Sequence, residues 1–315
     1  LELKPLKHLL SDTLVYGISS VIARFINYLL VPFHTGLFNP DAYGVVGLVY
    51  AAIGLLQVLF TFGMESSYLR YGKDREQVAH LFSTIQRALL AIGLLISLIL
   101  LLFQTPLSGL LSLRADASVE GRIYLLMIGI LLVDALAIVP FAELRLSKRA
   151  YSFAWLKLGH VAINVGLNGY LILVLDWGIE AIFMANFLAS SAVLLGVFGL
   201  TRSLWRGSWS SYMLRKMVLF GWPFIPAGLA HVVNETLDRF FLKSLSSEQI
   251  YAIYGLEWSA DHIVGVYNAC YKLAVFMLLL VQMYRMAWQP FFMRQSDEPN
   301  APVIFGQAFR YFNVA

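Results

Sequence analysis

The sequence predicts an all-α, polytopic membrane protein, and three observations carry that reading. Hydrophobic residues make up 59% of its 315 residues and charged ones only 13%, with a mean hydropathy of +0.71. A soluble domain carries about 25% charged residues, so water alone could not wet this surface. Long apolar runs recur along the chain, each close to the roughly 20 residues that a helix needs to cross the hydrocarbon core. The loops between them alternate in charge. A soluble enzyme, a disordered chain and a disulfide scaffold are excluded, the last because Cys270 is the only cysteine.

Eight stretches qualify as spans: 11–34, 42–64, 80–103, 120–142, 151–175, 179–200, 215–239 and 263–288. A ninth begins near Phe305, and the chain opens on Leu1 without a methionine, so a longer parent protein is expected. The first stretch is too long for a cleaved signal peptide and holds Arg24 in its middle. Loops 1–10, 65–87, 143–149, 201–216 and 285–294 hold fifteen Lys and Arg residues, against four on the opposite side. The positive-inside rule therefore puts the N-terminus in the cytoplasm. The same bias accounts for the net charge of +4. No basic helix or stripe is present to track a nucleic acid backbone, and no such partner is expected. The one long outer connection, Leu242 to His262, reads as an ordered surface loop that could cap an outer opening.

A weak internal repeat relates Tyr16-Gly17 and the outer turn leading to Asn39–Gly44, in spans one and two, to Phe220-Gly221, the outer turn with Ser246–Glu248 and Val264–Tyr267, in spans seven and eight. Both pairs of spans run in the same orientation, which suggests two lobes related by an axis along the membrane normal. The division expected is a six-helix lobe over 1–205 and an incomplete second lobe over 206–315. Pro223 and Pro226, with Gly221 and Gly228, make span seven the most breakable helix, and Pro32 and Pro140 are potential kinks in spans one and four.

Polar residues inside the spans are the candidate site, because a charge at the membrane centre must face a cavity or a partner. In span one, Ser20, Arg24, Asn27 and Tyr28 share a helical face. Span five carries Lys157, His160, Asn164 and Asn168 as a stripe, although Lys157 could equally snorkel to the interface. Span eight adds Asn268 and Lys272. Arg24, Asn27, Lys157, His160, Asn164 and Lys272 are the candidate ligand contacts. Arg24, Lys157 and Lys272 outnumber Asp134, the comparably deep acid, so the cavity is expected to be net positive and to favour an anionic group. Asp134, Glu235 and Asp238 are candidates for ion coupling. Glu235 and Arg239, at i and i+4, also predict a plain intrahelical ion pair. No phosphate-binding loop, HExxH cluster or nucleophile elbow is found, so neither enzyme activity nor a metal or other cofactor is expected.

The stretch Leu30–Gly44 (LVPFHTGLFNPDAYG) resembles the first outer turn of prokaryotic polysaccharide and oligosaccharide flippases. Gly63–Tyr71 resembles the inner turn after their second helix, and Asp238–Leu242, Tyr267–Ala274 and Trp288–Phe291 resemble their seventh and eighth helices. These flippases fall in the multidrug/oligosaccharidyl-lipid/polysaccharide superfamily, whose members have 12 or 14 helices in two lobes around a cavity. The resemblance implies a monomer of a bacterial or archaeal inner membrane, surrounded by membrane lipids and open to association with polysaccharide assembly machinery. Its cargo would be a polyprenyl-pyrophosphate-linked oligosaccharide, moved by alternating access for O-antigen or surface polysaccharide. A cation-coupled drug exporter of the same fold and a membrane polysaccharide polymerase or ligase are the alternatives. The outer stretch Ser247–His262 is longer than the family's usual turn.

Overall fold

The computed structural model describes residues 25–27, 29–73, 75–111 and 117–271, and singly 22, 302 and 306. Arg24, Lys272, the start of span one, the rest of span eight and the ninth span lie outside the described residues. Helix α1 is described over 29–37. It is followed by α2 (Pro40–Thr61), α3 (Met64–Tyr71), α4 (Val78–Leu102), α5 (Gln104–Leu110) and α6 (Ala117–Leu146). Then come α7 (Ala150–Leu173), α8 (Glu180–Thr201), α9 (Ser211–Gly221), α10 (Phe224–Lys243) and α11 (Ser247–Tyr254). Residues 260–271 form α12. The described residues contain no strand.

Five of these helices are long and apolar enough to cross a membrane, and α9 with α10 makes a sixth span, bent by 42° at its break. The bend falls where Trp222 and Pro223 interrupt the ladder, because proline supplies no amide donor and crowds the preceding turn. Pro140, by contrast, lies within an uninterrupted α6. The outward faces carry large apolar side chains such as Leu102, Trp155 and Leu195, each more than 70% exposed. A water-soluble surface rarely shows apolar patches of that extent, whereas hydrocarbon tails solvate them.

Local chemistry sets the corners. The Asn39 side chain accepts from the Ala42 amide at 2.8 Å and Pro40 opens the first turn of α2, the favoured cap and first helical residue. α2 ends at Phe62 in a left-handed conformation, and Gly63 follows with φ of 66°. At the basic end of the bundle, Glu143 is 6% exposed and accepts from Tyr68 Oη at 2.7 Å, Arg75 Nη1 at 2.7 Å and Ser147 Oγ. Burial, and then the Glu143 carboxylate, push the Tyr68 hydroxyl far above the usual tyrosine range, so it remains a donor. This hub ties α3 and the turn after it to α6.

The expected outer surface loop is a helix in its middle. Ser246 Oγ accepts from the Gln249 amide, and the Gln249 side chain accepts from the Ser246 amide at 2.9 Å, closing a capping box that starts α11.

α10 and α12 pack along α2, and glycines permit the close approach. A Cβ on Gly44 would lie 2.2 Å from the Asp261 carbonyl oxygen, and one on Gly265 would lie 1.9 Å from that of Pro40. The two segments that the weak repeat pairs therefore touch. Asp41 closes the same end of the seam, accepting from Ser259 Oγ and lying 3.5 Å from His262 Nδ1.

Candidate functional site

α2, α6, α7 and α8 enclose a cavity of about 620 Å3 whose walls include Glu65, Asp134, Arg145, Lys157, His160 and Ser190. The Lys157 ammonium lies 4.3 Å from the Phe141 ring centroid and acts on Asp134 electrostatically. Ser190 bonds to Asp134, and its Oγ is 3.1 Å from His160 Nε2. Arg145 donates to Glu65, from a helix eighty residues away in sequence. Gln57 Oε1, also on the wall, is buried without a hydrogen-bond partner.

A second cavity of about 270 Å3 adjoins the first, and Tyr50 and His160 line both. Its polar walls are neutral amides and one further imidazole: Asn27, Asn164, Asn168, Asn186, Asn268 and His34. Asn164 Nδ2 donates to Asn27 Oδ1 at 3.3 Å, and Asn168 Nδ2 donates to the Asn164 carbonyl at 2.9 Å. His34 Nε2 is 2.9 Å from Asn168 Oδ1, and Asn186 Nδ2 donates to Tyr50 Oη at 3.1 Å. Asn268 reaches this chamber from α12. It is 3% exposed, packs against Gly47, and its Nδ2 has no hydrogen-bond partner. A buried amide nitrogen left unsatisfied costs about 1–3 kcal/mol, which a ligand oxygen would recover.

The stripe expected on span five is thus brought together with Asn27, and its members divide between the chambers. Lys157 lies in the charged one, Asn164 and Asn168 in the amide one, and His160 at their boundary. Lys157 lines a cavity rather than snorkelling outward. Among the described residues the charges of this wall balance. Glu65 and Asp134 stand opposite Arg145 and Lys157, so the acids and bases of this wall match in number among the described residues. Arg24 and Lys272, which the expected positive excess also needs, lie outside the described residues.

The intrahelical Glu235–Arg239 pair is replaced by a crossing between α10 and α12. Glu235's carboxylate accepts from Tyr271 Oη at 2.5 Å. Arg239 instead donates to the Glu235 carbonyl at 2.7 Å, pairs with Asp238 at 3.4 Å and lies 4.6 Å from the Tyr271 ring centroid. Asp238 also accepts from Tyr267 Oη. A tyrosine hydroxyl from the neighbouring helix outcompetes the guanidinium for Glu235 because the arginine is already held over the ring. Neither Glu235 nor Asp238 lines the two chambers.

Sequence reasoning missed Glu65, Arg145, Tyr50, Asn186 and Ser190. Asn186 and Ser190 carry a readable signal, being polar and four apart in the apolar α8. Among the described residues no group of three or more His, Cys, Asp or Glu side chains could hold a metal ion.

Comparison with solved structures finds the same fold at low identity. An inward-facing multidrug resistance transporter of the MATE family, in the MOP superfamily, matches with a TM-score of 0.59 and 18% identity, over 87% of this chain and 60% of the other. A MATE protein in its straight conformation matches with a TM-score of 0.63 and 17% identity, over 90% and 63%. A MOP superfamily transporter from Pyrococcus furiosus, described as having a binding pocket of reverse polarity that suggests a different function, gives 0.57 and 17% over 96% and 73%. The chain spans less than two thirds of the length of the first two. No curated protein matches. The family model for polysaccharide biosynthesis proteins matches residues 9–296. With that match over most of its length, this multi-pass helical chain, built on the MATE and MOP transporter fold, belongs to the polysaccharide biosynthesis protein family.

Proposed function

We propose that this chain handles cargo in a flippase that carries a polyprenyl-pyrophosphate-linked oligosaccharide between membrane leaflets for surface polysaccharide assembly. The observation that carries this reading is the amide chamber with the unpartnered Asn268 nitrogen. A sugar presents a ring of neutral hydroxyls, each a donor and an acceptor, and a side-chain amide answers both functions. Asn27, His160, Asn164 and Asn168 would bond the glycan from the first lobe, residues 1–205, and Asn268 from the second, residues 206–315. Lys157, with Arg24 and Lys272, would face the pyrophosphate, whose charge cannot cross hydrocarbon cheaply unless cations replace its water. The lipid tail would stay among the apolar outer faces. Rocking of the lobes about the glycine seam would expose the cargo first to the cytoplasmic side and then outside. The protein would sit in the inner membrane as a monomer with a cytoplasmic N-terminus, and Asp134, Glu235 and Asp238 are its candidates for ion coupling.

Glu65 and Asp134 on the charged wall favour a second reading, cation-coupled export of an organic cation. One assay separates the two. The full-length protein is placed in proteoliposomes with a fluorescent polyprenyl-pyrophosphate saccharide, and its exposure on the opposite leaflet is followed. Protein-dependent movement, lost in Arg24→Gln, is expected. Absence of movement together with proton-driven uptake of an organic cation would replace the flippase by the exporter.

A further inference from the structure

A second concave site lies outside the chambers, at the basic end of the bundle. There α3 meets α9, with Ser67 Oγ donating to the Met217 carbonyl at 2.9 Å. Gly63 and Gly221 are in contact beside them: a Cβ on Gly63 would lie 2.4 Å from the Gly221 carbonyl oxygen. A pocket of about 300 Å3 opens next to this junction, with Arg70, Lys73 and Lys216 on its walls beside Tyr71, Gln77 and Tyr212. None of its described lining residues is acidic, and among the described residues none of the three cations has a salt-bridge partner.

Aromatic rings hold two of these cations in place. Arg70 Cζ lies 4.5 Å from the Phe220 ring centroid, and Lys216 Nζ lies 4.6 Å from that of Tyr71. A cation over a ring face is attracted without being neutralised, so the donors stay available. The general excess of basic residues at one membrane face explains why cations are present at this level. It does not gather three of them around one concavity whose described walls carry no acid. Their mutual repulsion is relieved by a multivalent anion that fits the pocket. Gln77 and the Tyr212 hydroxyl add neutral donors for its oxygens.

The pocket lies past the end of α2 and against the first turns of the bent α9–α10 span, where lipid head groups are expected, and Trp209 and Tyr212 are exposed beside it as interface aromatics are. We propose that this pocket binds the phosphate of a net-anionic lipid head group at the membrane surface, independently of the cargo chambers. Because one wall belongs to α3 and the other to α9, a bound phosphate bridges the two sides of the seam. It therefore favours the arrangement in which they touch, by as much as it binds that arrangement better.

The test uses the purified full-length protein in phosphatidylcholine nanodiscs. Binding of sodium pyrophosphate, of dihexanoyl phosphatidylglycerol and of dihexanoyl phosphatidylcholine is followed by thermophoresis. A net-anionic probe, pyrophosphate or the phosphatidylglycerol, should saturate, and Lys73→Gln/Lys216→Gln should weaken it about tenfold or more, as expected for charge-assisted contacts. Both lysines are exposed, and a thermal unfolding curve checks that the double variant folds. Saturation by pyrophosphate alone would assign the site to the phosphate itself, and saturation by the glyceride only would assign it to a whole phospholipid head group. Either supports the proposal. Equal affinity for the phosphatidylcholine analogue, or affinity untouched by the double variant, would overturn it. Binding abolished by Lys157→Gln but not by the double variant would move the anion into the charged chamber and likewise overturn it. Since no transport is measured, failure here leaves the flippase reading standing.

Discussion

The two adjoining chambers share walls from α2, α7 and α8 and differ in kind. The charged chamber neutralises itself: Glu65 answers Arg145, Lys157 acts on Asp134, and Ser190 links Asp134 to His160. The amide chamber holds no charge and leaves one buried donor unanswered, Asn268 Nδ2. Each wall also leaves buried polar atoms unanswered, Gln57 Oε1 and Arg145 Nε in the charged chamber and Asn268 Nδ2 in the amide one. The difference teaches that the two compartments suit different parts of a ligand: the ionic wall a charged group, the neutral amides uncharged hydroxyls.

The largest expected effect comes from separating α12 from α2. Gly265→Leu would force side-chain atoms into the Pro40 carbonyl, withdraw Asn268 from the amide chamber and leave the charged one standing. Transport in proteoliposomes should fall to background while the protein still folds, because one overpacked contact costs about 1–3 kcal/mol. Transport near the wild-type level would show that the seam does not position Asn268. A smaller effect separates the chambers themselves. Asn268→Leu should weaken binding of a soluble neutral oligosaccharide about tenfold, as loss of one buried hydrogen bond would. Lys157→Gln should leave that affinity within twofold and weaken the pyrophosphate-bearing cargo instead. Equal losses for both ligands in both variants would merge the compartments into one site. The smallest effect is structural. Tyr50→Phe removes the Asn186 bond at the boundary and should cost about 0.6 kcal/mol, typical of a hydrogen bond between membrane helices. A fall of several kcal/mol in reversible unfolding would show that this bond holds the chambers apart.

The features legible in the sequence were those that repeat at helical spacing or change the backbone. Lys157, His160, Asn164 and Asn168 stood out because each is expensive in an apolar helix and the spacing puts them on one face. The break in span seven was marked by its prolines. What escaped depends on partners remote in the chain. Glu65 reads as an end-of-span residue until α6 brings Arg145 to it. Glu235 reads as an ion-pair partner of Arg239 until α12 brings Tyr271. α11 is the exception, since Ser246 and Gln249 spell its capping box locally within a stretch read only as a loop. Weak as it was, the repeat between Asn39–Gly44 and Val264–Tyr267 marked two segments that the fold places in contact through Gly44 and Gly265.

The central claim is that the amide chamber holds the glycan. It is tested most directly by photo-crosslinking with two forms of the same lipid-linked oligosaccharide, one with a diazirine on a sugar and one with it on the lipid next to the pyrophosphate. The account predicts that the sugar-borne probe labels the α7 segment around Asn164 and Asn168 and the α12 segment around Asn268, and that the lipid-borne probe does not. Sugar-borne labelling confined to the segments around Asp134 and Lys157, or equal labelling of both chambers by both probes, would contradict it.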